Sequence, residues 1–288
     1  TPCDYRNVSY WSVCPSDKVA SYQGALCANT GHIEAHETGA IEATGHKVIG
    51  LPTTDGKISA DQIVDAVKSH YADAAHEHIP QPKLVYISNP TELGTIYSLR
   101  ELEELSDVCK RYNLYLFVDG ARLGYGLCAE GCDVTLSDLA RLCDVFYIGG
   151  TKCGLLFGEA VVAANPATLP HFFPLVKQHG ALCAKGRILG VQFLTLFTDN
   201  LYQNICEYAV VLAQRIRAAF VNKGYRVAID SPTNQQFFIL PNDVVDRLRA
   251  NGVSFEDWGV RGETETTVRF VTSWSTTEED VNKLIEIL

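Results

Sequence analysis

Between residues 85 and 149, continuous apolar runs alternate with segments whose apolar residues recur every three or four positions. VYISNPTELG (85–94) predicts a buried strand followed by a turn. SLRELEELSDVCKRY (98–112) predicts an amphipathic helix, with Leu99, Leu102, Leu105 and Cys109 on one face and Ser98 with Glu101 as a capping box. LYLFVDGAR (114–122) is a nearly unbroken apolar strand that ends at Asp119, SDLARLC (137–143) is a short helix, and DVFYIGG is the next strand. Strands apolar on both faces and separated by helices imply a parallel sheet covered by helices.

After about residue 195 the pattern changes. CEYAVVLAQRIRAAFVNKG (206–224) predicts a long helix stopped at Gly224. Short strands follow in YRVAID and QQFFILP, then a helix around DVVDRLRANG, a strand in TVRFVTSW, and a last helix opened by Thr276 with Glu279. This α+β order predicts a large domain over 1–195 and a smaller one over 196–288.

Composition narrows the function classes. With 288 residues, 47% hydrophobic and 20% charged, the chain can bury a sizeable core and is not compositionally disordered. No apolar run approaches the length of a membrane span, and TPCDYRNVSYW lacks the basic flank and apolar segment of a signal peptide. A formal net charge of −10 argues against nucleic-acid binding, which needs clustered Lys and Arg. The ten cysteines are scattered, form no CxxC pair and lie partly in apolar stretches, which predicts reduced thiols in a cytoplasmic protein. The chain has no methionine, so we expect either that its leading segment is missing or that modified methionines have been omitted.

The candidate chemistry sits at the strand ends. Lys152 and Asp119 each follow an apolar strand, and ligands of parallel sheets bind outside the carboxyl ends of strands. Gly149, Gly150, Gly120 and Ala121 beside them are small enough for a ligand ring to approach the backbone. The bland alternative is that each charge is the first solvated residue after its strand. A lysine in such a place can form a Schiff base with an aldehyde cofactor, and a carboxylate can hold a pyridine nitrogen protonated; pyridoxal phosphate needs both. GGTK lacks P-loop spacing, and no GxGxxG occurs. In NTGHIEAHETGAIEATGHKV (29–48), His32 and His36 would share a helix face. The spacing is not that of a zincin, and the open readings are a ring stacked on a flat cofactor, a surface histidine or, least favoured, a metal ligand. Arg122 lies three residues past Asp119, and Arg269 lies inside an apolar strand, where its permanent charge needs an anion: a substrate carboxylate or a structural acidic partner.

TGHIEAHETGAIEATGHKV, VDGARL, YIGGTK followed by FGEA, HGALCAKGR and TVRFVTSW, in that order from about Tyr22 to the C-terminus, resemble the low-specificity L-threonine aldolase family, also described as β-eliminating-lyase-like. The resemblance implies the aspartate-aminotransferase fold (fold type I) of pyridoxal-phosphate enzymes, an α/β fold with a mostly parallel sheet and a smaller α+β C-terminal domain. It also implies a homodimer or homotetramer with sites at subunit interfaces and an amino-acid substrate; the charge and the apolar runs already argue against a nucleic-acid or membrane partner. It makes Lys152 the Schiff-base lysine, Asp119 the partner of the pyridine nitrogen, and His32 the histidine that stacks on the ring and takes part in catalysis. Arg122 and Arg269 stand near the substrate carboxylate, Arg269 the more firmly matched, and Arg122 and Thr151, beside Lys152, are counted with the cofactor contacts. The implied reaction is cleavage of threonine to glycine and acetaldehyde; the alternatives are β-elimination of the tryptophanase type and a catalytically degenerate, binding-only member. Residues 1–21 lack the glycine- and threonine-rich turn with which the family cradles the cofactor phosphate, so we expect a missing front segment or weak cofactor binding.

Overall fold

A computed structural model describes residues 19–288. The readings of a signal-free start and of a front segment without a phosphate turn fall largely on residues 1–18, outside the described residues. Six strands form one sheet: β1 (Gln23–Ala28), β2 (Lys47–Leu51), β3 (Gln81–Ser88), β4 (Tyr115–Asp119), β5 (Val145–Gly149) and β6 (Glu159–Val162), in the order β2-β1-β3-β4-β5-β6. The pairs among β1 to β5 are parallel, and β6 returns antiparallel to β5. All of β1 and β5 is buried. Alternate residues serve two cores. Leu26, Val85, Ile87, Leu116, Val118 and Phe146 pack on one face; Ala25, Leu84, Tyr86, Phe117 and Tyr147 pack on the other. A strand that is apolar at every position is what burial on both sides requires.

The helices are α1 (His32–Ala35), α2 (Ala60–Ala72), α3 (Leu99–Arg111), α4 (Leu123–Leu127), α5 (Leu136–Leu142), α6 (Phe172–Gln178), α7 (Arg187–Leu196), α8 (Leu201–Asn222), α9 (Asn242–Ala250) and α10 (Glu278–Ile287). The predicted face of α3 is the buried one: Leu102, Leu105 and Cys109 face the core, and Ser98 with Glu101 forms the capping box. The smaller sheet is antiparallel, with β7 (Arg226–Ile229), β8 (Gln235–Pro241), β9 (Glu256–Asp257) and β10 (Glu265–Val271) in the order β7-β8-β10-β9. Helix α8 begins five residues earlier than the sequence pattern indicates, after Asp199 and Asn200 turn with positive φ, and it ends before Gly224 at φ +85°. Its first half packs Tyr202, Cys206 and Ala209 into the large sheet's core. Its second half packs Leu212, Ile216 and Phe220 into the small one's.

Two expectations change. The last helix is capped by Thr277 with Asp280, one residue beyond the expected Thr276 and Glu279. Thr276 instead closes the preceding turn: its N–H donates to the Ser273 carbonyl at 3.1 Å and its hydroxyl accepts from the Ser273 N–H at 2.9 Å. The space beside Gly120 and Gly149 is taken by neighbouring backbone. A Cβ on Gly120 would meet the Tyr147 carbonyl at 1.9 Å, and one on Gly149 the Ala121 carbonyl at 2.3 Å. These glycines let the ends of β4 and β5 touch, with the Gly149 N–H donating to the Gly120 carbonyl at 2.8 Å.

Candidate active site

The carboxyl ends of β3, β4 and β5 open into one cleft lined by His32, Glu92, Asp119, Arg122, Lys152 and Glu159, with about 630 Å³ of empty space continuous with solvent. Asp119 and Lys152, singled out at two separate strand ends, therefore share one wall. This is the placement expected of a parallel sheet, where each strand delivers its last residue to the same edge.

Asp119 is buried (5% exposed) and held from three sides. The hydroxyls of Tyr86 and Tyr147 donate to its two oxygens, and the Ala121 N–H donates to Oδ1 at 2.9 Å. Burial, then the charge of Asp119, pushes both phenols far above their ordinary range, so they stay protonated donors at neutral pH. A carboxylate offers about four lone-pair sites, and three are used. One remains on Oδ2 for a further donor.

Lys152 lies on a tight turn (Thr151–Cys153) directly after β5. Buried Cys153 anchors the turn, and the Tyr125 hydroxyl donates to the Lys152 carbonyl, so the backbone is fixed where the residue lines the cleft. Glu159 of β6 lines the same wall and accepts from the Gly150 N–H. Thr151 Oγ1 is buried and has no hydrogen-bond partner among the described residues.

His32 opens α1, as its place after a glycine indicates, but α1 is only four residues long. Its backbone N–H donates to Glu92 Oε1 at 2.8 Å and its Nδ1 bonds Glu37 Oε1. Burial lowers the imidazole pKa, and the hydrogen bond and charge of Glu37, with the charges of Asp119 and Glu92, outweigh it, so the net shift is upward. His36 is exposed, with its ring centroid 5.4 Å from that of His32. Glu92 is itself buried, and Ser88 donates to its Oε1 at 2.7 Å. Burial, opposed by its hydrogen bonds, raises its carboxyl pKa.

The arginines separate. Arg122 lines the cleft, and burial followed by the nearby charge of Arg269 lowers its pKa. Arg269 sits on β10 and does not line the cleft wall. It donates to Gln235 Oε1 at 2.9 Å, pairs with Glu256 of β9, and stacks 4.8 Å from the centre of the Trp258 ring. The acidic partner that an arginine in an apolar strand demands is thus present, and the buried Nε–H is left without an acceptor among the described residues.

Sequence reasoning passed over Glu92, Glu37, Tyr86 and Tyr147. Glu92 follows the strand VYIS and was reachable by the rule that picked out Asp119 and Lys152. The tyrosines look like core aromatics in an apolar run, and nothing local distinguishes them.

The profile of the family described as beta-eliminating lyase matches residues 13–240. The low specificity L-threonine aldolase of Pseudomonas aeruginosa is 32% identical over 269 residues, which span 92% of this chain and 75% of that protein. The enzyme of the same name from a Pseudomonas species is 29% identical over 276 residues, 95% of this chain and 78% of that one. The solved structure of a Leishmania major threonine aldolase superposes with a TM-score of 0.92 at 41% identity, covering 98% of this chain and 80% of that one. A Thermus thermophilus aspartate aminotransferase mutant superposes at 0.69 with 13% identity over 98% of this chain and 72% of that one, a likeness of fold alone.

Proposed function

The chain belongs to the beta-eliminating lyase family, and on that premise we propose that it is a pyridoxal-phosphate-dependent aldehyde-lyase, a threonine aldolase that cleaves L-threonine or L-allo-threonine to glycine and acetaldehyde. The single observation that carries the reading is the convergence of Lys152, Asp119 and His32 on one cleft. The residues fit the cofactor. Lys152 offers the amine for its aldehyde. Asp119 keeps one acceptor site for its ring nitrogen, and the tyrosines hold the carboxylate in place. Thr151 Oγ1 is a buried hydroxyl in need of a partner. When bound, pyridoxal phosphate supplies the sink for the electron pair left at Cα as the Cα–Cβ bond breaks.

The chain's own groups do the rest. His32 accepts the proton of the substrate β-hydroxyl, directly or through a water, as the carbonyl of the aldehyde forms. Asp119 keeps the proton on the ring nitrogen. Arg122 holds the substrate carboxylate from the cleft wall, and Arg269, which lies behind that wall paired with Glu256, adds its positive charge on the same side. The proposed division at residues 195 and 196 puts Arg269 on the small domain and the other groups on the large one.

The test is direct. Incubation with pyridoxal phosphate is expected to give a visible absorbance band that borohydride abolishes and that Lys152→Ala never develops, with acetaldehyde released from threonine. A colourless protein would overturn the assignment, and pyruvate with ammonia in place of acetaldehyde would move it to β-elimination. We further propose a homodimer or homotetramer in the cytoplasm. Leu156 (83% exposed), Leu194 (70%) and Phe173 (65%) lie open along the segment 156–197, where a second copy would cover them. Light scattering that gives a monomer mass would remove that part. The cysteines among the described residues are free thiols, in keeping with a reducing compartment, and no helix among those residues is long and apolar enough to cross a membrane.

A further inference from the structure

We propose that Glu37 is a positioning residue for this reaction: by binding His32 at Nδ1 it leaves Nε2 as the nitrogen that takes the substrate proton. The inference rests on the reading above for the identity of the substrate, while the pairing itself is a property of the chain. A carboxylate only accepts, so its partner Nδ1 carries the hydrogen and the ring's basic lone pair is on Nε2. The carboxylate has little freedom to leave. The Glu37 side chain is 9% exposed, against 37% for His32. The backbone also turns sharply just after it. Thr38 at φ +52° and Gly39 at φ +72° are consecutive left-handed residues, and a β-branched residue avoids that region unless the surroundings impose it. The other end of His32 is fixed as well, since its backbone N–H is held by Glu92 across the cleft. His32 is therefore held by two carboxylates from different segments, its backbone by Glu92 and its ring Nδ1 by Glu37, which leaves Nε2 as the ring nitrogen not bonded to either.

Other charges face this ring. His36 lies on its own segment. Glu92 follows β3, Asp119 ends β4 and Arg122 follows it, Tyr147 lies on β5, Lys152 on the turn after β5, and Glu159 opens β6. Glu37 differs from all of these in bonding the ring itself. Its removal should lower the imidazole pKa, because burial then acts with less opposition.

The experiment uses the full-length chain. The His32 ring is followed by proton–nitrogen NMR against pH, assigned by its loss in His32→Gln, and threonine cleavage is followed against pH in the cofactor-loaded protein. Glu37→Gln should lower the His32 midpoint, move the acid limb of the kcat profile to lower pH, and cut kcat about tenfold or more with KM changed by less than about twofold. Glu37→Asp should restore part of the shift. An unmoved midpoint and acid limb in a Glu37→Gln protein that melts normally would overturn the proposal. If Glu37→Gln does not fold, a Glu37→Asp protein with wild-type midpoint and kcat would overturn it equally. Wild-type protein that cleaves no threonine would instead overturn the functional reading, and the NMR titration alone then decides the pairing.

Discussion

The two sheets use burial for opposite ends. In the small sheet it is spent on area: Phe220 and Phe238 stack with ring centres 4.2 Å apart, and Phe270 and Phe255 close the cluster. In the large sheet the centre is equally apolar, but its carboxyl edge buries Asp119 and Glu92, which apolar surroundings penalise. That edge is stable because each carboxylate is wired to donors: two tyrosines and a backbone N–H for one, Ser88 and the His32 N–H for the other. The regions meet through polar contacts beside the cleft. Ser231 Oγ donates to the Gly94 carbonyl at 3.0 Å, and Gln235 Nε2 to the Thr91 carbonyl at 3.4 Å, on either side of Glu92. One sheet thus tolerates charge to obtain reactivity, and the other fixes the position of Arg269 against it.

Mutations should divide along the same line, and the largest effects are the most telling. Lys152→Ala is expected to abolish threonine cleavage with a far smaller change in stability than a core substitution gives, because the lysine lines the cleft and lies outside the apolar cores. Phe238→Ala is expected to cost about 3–5 kcal/mol in denaturant unfolding, from lost area plus the cavity left among stacked rings. The comparison breaks if Lys152→Ala destabilises the fold as much as Phe238→Ala does, since charge at the edge would then be structural. Gly120→Ala should also unfold the protein, although it lies beside the site, because its Cβ would collide with the Tyr147 carbonyl.

These differences follow what a sequence can carry. The alternation of strands and helices, the capping box at Ser98, and the coincidence of Asp119 and Lys152 at strand ends were legible, because each depends on residues near one another in the chain. His32 was legible as a candidate from its place after a glycine, and only the resembling stretch chose the cofactor reading over a surface histidine or a metal ligand. Tyr86 and Tyr147 were not, since a phenol that binds Asp119 and one that fills a core obey the same period of two. The role of Gly120 was misread for a similar reason: a small residue makes room, and only the fold shows which neighbour takes it. The partner of Arg269 was expected in kind and unknown in identity, because Glu256 comes from a two-residue strand with no apolar signature.

A pH measurement sharpens the contrast at intermediate size. Glu92 has a folded pKa raised above the ordinary 4.5 by burial. A carboxyl of that kind favours the fold when protonated, so its contribution is fully present below about pH 4.5 and is lost as pH rises through the raised value. Glu92→Gln keeps an oxygen for Ser88 and the His32 N–H and removes the charge. The variant should melt at or above the wild-type temperature at pH 7, with a flatter profile between pH 4 and 7. A lower melting temperature at neutral pH would mean that the ionised carboxylate is worth more to its donors than its burial costs.

The smallest expected effects come from a matched pair of caps, one in each region. Ser98 opens α3 against the large sheet, and Thr277 opens α10 against the small one, both in complete capping boxes. Either change to alanine removes one side-chain acceptor for a helix N–H and should cost about 1 kcal/mol. The two boxes differ in what their acidic member does next. Asp280 is held by Thr277 on an exposed surface, whereas Glu101 also takes the Lys57 ammonium at 2.6 Å, which ties α3 to the turn before α2. Ser98→Ala loosens Glu101 and with it that tie, so it should shift the urea midpoint further than Thr277→Ala. Adding Lys57→Ala to each variant decides the point: the two changes should be less than additive with Ser98→Ala and simply additive with Thr277→Ala, and additivity in both would leave the caps as local devices with no reach into the sheet beneath them.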